Sequence, residues 1–531
     1  MNIKSKIIYL FLAIAGFLAS CSKDFLNRPP LSEISSENFY KTTSDLKLAT
    51  AALYAGTPWA DWLYSCYLPV GEVTSGNLAL GWNGDAIQFN TFAVTGLNNA
   101  LISNWKGMYN VIAHCNIIIN AIKEKAPATI SEADKNAAIA EARFIRGYAY
   151  YNLALLWSDV PIIEDNTKLI KSPLVYRNNV SDVYQFVVND LSYAVLNLPA
   201  GGAAWEKGRV TTWSAQGLLA KVYLTWSGLK SAGNGQRDQE LLDNAKILAG
   251  NVCKYSGLAL LDNYADLFKT KNNDNPESLF ALQWDPSVGD WLQGNMLQIY
   301  SPGGTEISAD GSAGWFSIVP TIDLYKQYSA KDTVRRKATF MLRNDYYPEL
   351  NAAGGGYTYK GDAGLKKHII GTKKDNNVPI MTLTSSAEHN SLLRLADVYL
   401  VYSEAILGNN ANTTDAEALL YFNKVRTRAG VDPVTTLNID TLLKERRIEL
   451  AAESQYWFDL VSLSYYNPEK AISILNNQQR VKFSYNNGVA TAGDPFGQIT
   501  PATITSFKFP LPSSELTADP NLSEPPVLYS F

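Results

Sequence analysis

The sequence predicts a mainly α-helical protein with a loop-rich, partly irregular region that carries short strands. Long segments in the first half and the last third place apolar residues at helical spacing and contain few glycines or prolines. Two other stretches, 57–100 and 272–390, are rich in glycine, asparagine, serine, aspartate and aromatic residues, which is typical of loops. An apolar fraction of 46% over 531 residues is ample for a large core.

Charge and composition narrow the classes of function. The formal net charge is −4, so the chain lacks the basic excess that nucleic-acid-binding proteins usually carry, and no nucleic-acid partner is expected. The 12 tryptophans and 30 tyrosines permit carbohydrate binding, because aromatic rings stack on the apolar faces of sugars. They do not establish it, because rings also fill protein cores.

Residues 1–20 are predicted to be a signal peptide. Lys4 and Lys6 supply a basic start, and an apolar run at 7–18 is too short to remain as a membrane-spanning helix. The run ends in the sequence LASC at 18–21, which matches a bacterial lipobox and predicts lipidation of Cys21. Several acyl chains would anchor the mature protein firmly in a membrane. An ordinary signal peptide with an incidental cysteine is the alternative.

The first half is predicted to consist of paired helices. Apolar periodicity predicts helices at 44–55, 105–126, 131–158, 181–198, 211–229 and 239–255. Ser44, Ser131 and the pair Ser181 and Asp182 are the expected N-caps. Small residues on the helix stripes allow close approach, as in paired-helix repeats. Arg143 and Arg146 are expected to form structural ion pairs.

The last third is predicted to be helical at 391–407, 415–430 and 441–463. Within 441–463, Glu445, Glu449 and Glu453 follow one another at four-residue spacing, where like charges repel. The favoured explanation is a cluster of ion pairs that holds this helix to its neighbours, with Arg446 and Arg447 able to bind carboxylates. Acid–base chemistry and metal binding by the glutamates remain alternatives.

The two loop-rich stretches are the expected location of a binding site, because binding residues concentrate on loops held by a rigid scaffold. Large rings between glycines and polar residues have little local core to fill, and neighbouring amides and acids can bind hydroxyl groups. Local packing is the alternative for the rings. The candidate ligand-binding residues are Trp82, Trp291, Tyr300, Trp315, Asn77, Asn83 and Asp85.

A search for catalytic or metal-binding motifs predicts no catalytic residue, no metal site and no cofactor. His114, His368 and His389 lie far apart in the sequence, and the chain contains no metalloprotease motif, nucleophile elbow or P-loop. Two carboxylates of a glycosidase can meet in space without any sequence signal, so a helical glycoside hydrolase remains an alternative. Cys66, Cys115 and Cys253 are expected to be single buried thiols, although one disulfide is possible.

Several motifs, in order along the chain, resemble one family. The segment at 445–463, ERRIELAAESQYWFDLVSL, is similar to the C-terminal hallmark of the SusD/RagB family, with Tyr456 and Ser462 where arginine is common. The start CSKDFLNRPP at 21–30, the segment GRVT at 208–211 and the segment NKVRTRAG at 423–430 also fit that family. Asp332 and Arg335 match its D-x-x-R step and are expected to form a local ion pair.

The resemblance implies a tetratricopeptide-like scaffold of paired helices and a division of the chain into four parts. These are the lipoprotein signal peptide 1–20, an N-terminal SusD-like region 21–271 that includes the loop 57–100, a loop-rich binding insertion 272–390 and a C-terminal helical region 391–531. It also implies a cell-surface lipoprotein of the outer membrane that captures oligosaccharides for a SusC-like TonB-dependent β-barrel. Peptide binding, as in RagB-like proteins, is the alternative cargo.

Overall fold

The computed structural model describes residues 39–81, 83–203, 205–287, 289, 291, 294–308, 318–372, 374–375 and 380–531. The predicted signal peptide and Cys21 lie outside these residues. Buried apolar side chains from Tyr40 to Phe509 form one continuous core. A smaller core within the predicted insertion contains Ile307, Met341, Tyr347, Leu350, Tyr359 and Ile369.

The first half is helical, as predicted, with moderate differences at the helix ends. Its helices are α1 (Thr43–Ala51), α2 (Thr57–Trp62), α3 (Gly84–Thr91), α4 (Asn99–Lys125), α5 (Glu132–Trp157), α6 (Thr167–Lys171), α7 (Val180–Asn197), α8 (Thr212–Leu229) and α9 (Gln239–Tyr255). The predicted loop 57–100 therefore contains two helices, and it also includes π-helical turns at Leu63–Tyr67 and Pro69–Val73.

The long helices pack in succession. Helix α4 packs on α5, α5 on α7, α7 on α8 and α8 on α9, which is the arrangement expected of paired-helix repeats. A small residue permits this approach between α5 and α7, because a Cβ atom at Gly147 would lie 3.2 Å from Leu191. Arg143 and Arg146 both pair with Asp190 on α7, at 2.7 Å each, so their predicted structural role is confirmed.

Capping explains where these helices begin. Ser131 caps α5 as predicted, because its hydroxyl accepts the backbone N–H of Asp134. The other two predicted caps were wrong. Helix α1 is capped by Thr42, which forms a reciprocal capping box with Asp45, and α7 begins after Asn179 without a side-chain cap.

The second half alternates short strands with helices. Its helices are α10 (Ile322–Gln327), α11 (Thr333–Thr339), α12 (Leu395–Leu407), α13 (Ala416–Arg428), α14 (Ile439–Glu449), α15 (Tyr456–Tyr466), α16 (Pro468–Asn476) and α17 (Ser513–Ala518). The strands are β1 (Leu78–Ala79), β2 (Ser278–Leu282), β3 (Val319–Pro320), β4 (Phe340–Leu342), β5 (Tyr346–Tyr347), β6 (Tyr357–Thr358), β7 (Ala363–Leu365), β8 (Asn390–Arg394), β9 (Phe483–Asn486) and β10 (Val489–Ala492).

The strands form antiparallel pairs: β1 with β3, β2 with β8, β4 with β7, β5 with β6 and β9 with β10. The β2–β8 pair corrects the predicted helix 391–407, which begins only at Leu395. The apolar residues before it extend β8 instead, because a short apolar run fits a strand as well as a helix. Trp284, which follows β2, is buried and donates its indole N–H to Asn390 at 2.8 Å.

The predicted single helix 441–463 is two helices, α14 and α15, separated by a short break. Ala452 and Ser454 adopt left-handed conformations in this break, with φ of 63° and 57°. The backbone N–H of Ser454 donates to the Glu72 carboxylate at 2.6 Å, and its hydroxyl donates to the carbonyl of Tyr67. These long-range hydrogen bonds outweigh the local helical propensity, which is why the sequence pattern misled the prediction.

The three glutamates of α14 and the following break form the predicted ion-pair cluster, and their partners come from distant elements. Glu445 pairs with Arg335 and Arg426 at 2.6 Å each, and Glu453 pairs with Arg394 at 2.6 Å. Glu449 contacts three arginines, which are Arg335 at 3.3 Å, Arg394 at 3.1 Å, and Arg428. Asp332 pairs with Arg335, as predicted.

Neighbouring charges complete this cluster. Glu277, at the start of β2, pairs with Arg394 at 2.6 Å and with Arg428 at 2.8 Å. Arg446 and Arg447 bind other carboxylates, because Arg446 pairs with Asp397 and Asp459, and Arg447 pairs with Asp323. We call the set Glu277, Asp332, Arg335, Lys367, Arg394, Arg426, Arg428, Glu445, Glu449 and Glu453 the central ion cluster.

Within the described ranges, no helix has both the length and the apolar character needed to cross a bilayer.

We expect Glu449→Gln to lower the free energy of unfolding by about 3 kcal/mol at pH 7, because it leaves buried arginines without their counter-charge. Burial alone would raise the pKa of Glu449, but Arg428, Arg394 and Arg335 lower it from 4.5 to about 2. The ionised carboxylate therefore adds stability above about pH 4.5, and this contribution is lost as the pH falls towards 2. Urea denaturation followed by circular dichroism measures both effects.

The matched control is Glu124→Gln, because Glu124 is exposed near the end of α4 and its substitution should change stability by less than about 0.5 kcal/mol. The gap between wild type and Glu449→Gln should narrow between pH 4.5 and pH 3. A gap that stays constant in acid would show that the arginines do not hold Glu449 ionised.

Candidate ligand-binding site

Two of the loop segments that carry predicted binding residues meet beside Tyr300. Strand β1 pairs with β3 so that Leu78 lies opposite Pro320 and Ala79 opposite Val319. The backbone N–H of Ile318 then donates to the carbonyl of Tyr300 at 3.0 Å. Residues 78–79, residues 318–320 and Tyr300 are therefore neighbours. Trp82 and Trp315 themselves lie outside the described residues.

Asn77 fixes β1 in place. Its side chain is fully buried, donates to the Glu72 carboxylate at 2.9 Å and accepts from Arg447 Nε at 2.7 Å. Its backbone carbonyl accepts the N–H of Thr321 at 2.9 Å. The amide of Asn77 therefore holds the loop to α14 and offers no exposed group to a ligand in this structure.

Tyr300 is also part of the support. Its side chain is 5% exposed, stacks on Tyr64 with ring centroids 6.0 Å apart, and donates its hydroxyl to the carbonyl of Tyr64 at 2.6 Å. Burial raises the pKa of the hydroxyl well above its usual value. The ring therefore presents no face for a sugar, and it joins the second loop stretch to the π-helical turn near residue 64.

Trp291, by contrast, is 47% exposed. The chain on both sides of it is held by the segment around residue 385, because Ser385 Oγ donates to the carbonyl of Gly289 at 2.8 Å and the N–H of Ser386 donates to the carbonyl of Asn295 at 2.9 Å. Trp291 itself has positive φ, at 34°. A large ring is thus displayed on an anchored loop.

Asn83 and Asp85 lie at the start of α3 and are partly exposed. The Asn83 side chain caps this helix by accepting the backbone N–H groups of Asp85 at 2.9 Å and Ala86 at 3.1 Å. Asp85 accepts from the side-chain amide of Asn99 at 2.9 Å. These contacts fix the polar groups next to position 82 on a helix rather than on a loose loop.

Sequence reasoning missed Phe496, which lies against this region. The ring of Phe496 occupies the space where Gly81 would carry a Cβ atom, so the chain immediately before Trp82 passes over that ring. Phe496 lies between Pro495 and Gly497 in the sequence GDPFG, which is the loop signal that selected Trp82. The same criterion applied to the last forty or so residues would have found it.

The described candidate residues include an exposed tryptophan, amide groups and a carboxylate. Rings bind the apolar faces of sugars, and amides and acids bind their hydroxyl groups. Among the described residues, no group of three or more histidines, cysteines, aspartates or glutamates is placed to hold a metal ion. Cys66, Cys115 and Cys253 are free thiols, of which Cys66 and Cys115 are buried and Cys253 is partly buried.

Comparison with known proteins identifies the family. The model of the SusD family matches residues 276–527, and a second model, described as starch-binding associating with outer membrane, matches residues 73–224. A SusD-like protein of Bacteroides ovatus is 38% identical over 550 residues, which cover 99% of each chain. The chain belongs to the SusD family. The SusD-like protein P25 of Formosa agariphila is 24% identical over 99% of this chain and 98% of its own.

Solved structures, among them a SusD superfamily protein from Parabacteroides distasonis with a TM-score of 0.70, share the fold. One crystal structure containing a xylogluco-oligosaccharide is 39% identical and superposes with a TM-score of 0.83 over 92% of this chain and 99% of its own. Surface glycan-binding protein A of Bacteroides thetaiotaomicron, in complex with laminarihexaose, is 20% identical with a TM-score of 0.67 over 90% of this chain and 97% of its own. The mainly helical, SusD-like fold is thereby confirmed.

We expect Tyr300→Phe to lower the free energy of unfolding by about 0.5–1.5 kcal/mol and to leave ligand affinity unchanged. The substitution removes the donor to the buried carbonyl of Tyr64 but keeps the ring in place. Thermal unfolding measures the first effect, and calorimetry with an oligosaccharide measures the second. Tyr255→Phe is the matched control, because Tyr255 is 69% exposed at the end of α9. Weakened affinity without loss of stability would instead make Tyr300 a binding residue.

Proposed function

We propose that this SusD-family protein is a cell-surface glycan-binding lipoprotein that captures oligosaccharides and delivers them, uncleaved, to a SusC-like TonB-dependent transporter. One observation carries the proposal: a structure 39% identical over 92% of this chain contains a xylogluco-oligosaccharide. Xylogluco-oligosaccharides are therefore the first ligand class to test. Transport energy would come from the TonB system rather than from this chain.

The geometry supports sugar capture at the converging loops. The exposed Trp291 supplies a ring face, and Trp82 and Trp315 are proposed to extend it from the two segments joined by the β1–β3 pair. Asn83 and Asp85 are proposed to bind hydroxyl groups from the adjoining start of α3. Asn77 and Tyr300 hold the support of this site and are not proposed to contact the ligand directly.

The charge distribution supports binding without bond cleavage. Canonical glycoside hydrolases place two carboxyl groups on either side of the glycosidic bond, one as general acid and the other as general base or nucleophile. The carboxylates of the central ion cluster are buried, and each contacts an arginine or lysine. These carboxylates therefore form structural ion pairs. At the loop site the carboxylate is that of Asp85, which accepts a hydrogen bond from the side-chain amide of Asn99.

We expect Trp82→Ala and Trp291→Ala each to weaken binding of a xylogluco-oligosaccharide by about 1–3 kcal/mol, the range for an aromatic anchor. Isothermal titration calorimetry measures the affinity. Thermal unfolding should hardly change for Trp291→Ala, because that ring is half-exposed. Product analysis by chromatography should show intact oligosaccharide after prolonged incubation.

The control is Tyr255→Ala, which removes an exposed ring at the end of α9 and should leave the affinity for the oligosaccharide unchanged. Unchanged affinity in both tryptophan variants would remove these rings from the site. Binding of extended peptides in place of oligosaccharides would favour the peptide-binding alternative, and release of shorter sugars would favour the hydrolase.

The predicted lipid anchor at Cys21 requires a separate test. We expect Cys21→Ser to abolish incorporation of radiolabelled palmitate in cells and to release the protein from the outer-membrane fraction, because the substitution removes the sulfur that carries the acyl chains. Cys253→Ser is the matched control, since Cys253 is a free, partly buried thiol elsewhere in the chain. Equal labelling of Cys21→Ser and wild type would contradict lipidation at this position.

A further inference from the structure

A cavity with a volume of about 590 Å³ lies outside the tryptophan-bearing loops. Its walls come from the 3₁₀ turns after residue 264, from α11, from β5, from residues 366–370 and from residues 374–375. Ring and aliphatic groups of Phe268, Tyr347, Leu350 and Ile369 line part of it. We call it the lysine cavity, because its lining includes Lys269, Lys271, Lys337, Lys366 and Lys374.

The charge of this lining is positive, although the whole chain carries −4. The five lysines face two lining carboxylates, Glu349 and Asp375, and Lys269 is in addition paired with Asp266 at 2.5 Å. Asp375 is already committed, because its oxygens accept the backbone N–H groups of Asn351, Ala352 and Thr372 and the hydroxyl of Thr372. Among the described residues, the ammonium groups of Lys271, Lys337 and Lys374 have no carboxylate within 4 Å.

Lys366 shows that the positive charge of this lining is partly buried and lacks a close counter-charge. Its side chain is only 11% exposed, and Glu349 is 3.6 Å away, beyond ordinary hydrogen-bonding distance. Burial lowers the pKa of Lys366, although Glu349 opposes that shift. Lys366 and Lys337 both approach the ring of Tyr347, at 5.7 Å and 5.9 Å from its centroid. Two positive charges thus share one ring, and an added anion would offset their repulsion.

The cavity is larger than an inorganic anion requires and also has ring surfaces. Its volume lies within the usual range for ligand pockets of about 300–1,000 Å³. Tyr346 lines it and is about half-exposed, so it can stack on an apolar sugar face. Lysine and ring surfaces together match a chain of sugars that bears negative groups.

We propose that the lysine cavity binds an anionic saccharide, recognised through carboxylate or sulfate groups on its sugar rings. The site is independent of the tryptophan-bearing loops and has its own chemistry. The protein would therefore select acidic chains, or acidic branches of a glycan, in addition to neutral sugars.

The test uses the full chain and three probes in calorimetry: hexagalacturonate, a sulfated hexasaccharide and inorganic sulfate, with cellohexaose as the neutral reference. We expect at least one acidic hexasaccharide to bind, with an affinity that falls as salt rises. The double variant Lys337→Gln/Lys374→Gln should weaken that binding about tenfold. Binding of the carboxylated chain alone, the sulfated chain alone or both identifies the charged group and supports the proposal.

The matched control is Lys168→Gln/Lys171→Gln, which changes net charge equally on the exposed helix α6. An equal loss in this control would reduce the effect to overall charge and overturn the proposal. So would absence of binding by both acidic chains, or inorganic sulfate that binds as tightly as either, which would indicate an adventitious ion only. Trp291→Ala should leave the affinity for acidic chains unchanged. A failure of the lysine-cavity proposal can therefore be distinguished from a failure of the proposed neutral-sugar site.

Discussion

The buried charges around Glu449 are the constraint on which the architecture depends. Glu449 receives arginines from three places: Arg335 in the loop-rich stretch, Arg394 at the end of β8 and Arg428 at the end of α13. Removing any one side chain leaves a charge in a low-dielectric interior, which costs far more than an unmade surface pair. The irregular stretch is therefore bound to the helical scaffold by complementary charge as well as by apolar packing, and its position is fixed at several points.

This attachment separates the residues that support the binding surface from those that form it. Glu72, Asn77 and Arg447 hold β1 to α14, while Tyr64 and Tyr300 hold the second loop stretch to the first. Trp291 is then displayed from a segment whose flanks are hydrogen-bonded on both sides. A surface supported in this way loses little conformational entropy on binding, which favours capture by loops without a large rearrangement.

The sequence predicts the helical scaffold well because its long helices have uninterrupted apolar stripes, as α9 shows by matching the predicted 239–255. It fails where tertiary hydrogen bonds compete with local propensity, at the Ala452–Ser454 break and at β8. For the candidate site, glycine-rich and polar context selected the residues but could not distinguish Asn77 and Tyr300, which are buried, from Trp291, which is exposed. No local sequence pattern predicts the lysine cavity, because Lys269 and Lys374 are far apart in the sequence and line the same cavity only in the folded chain.

The hydrogen bond between Ser454 and Glu72 joins positions 382 residues apart. A polypeptide is made and exported from its N-terminus, so the π-helical turns near residue 70 exist long before their partner does. Contacts of such high sequence separation form late, because the intervening chain must first close a very large loop. The first loop stretch therefore reaches its final position only after the C-terminal helices have been made, and until then the buried Glu72 carboxylate lacks the backbone N–H of Ser454.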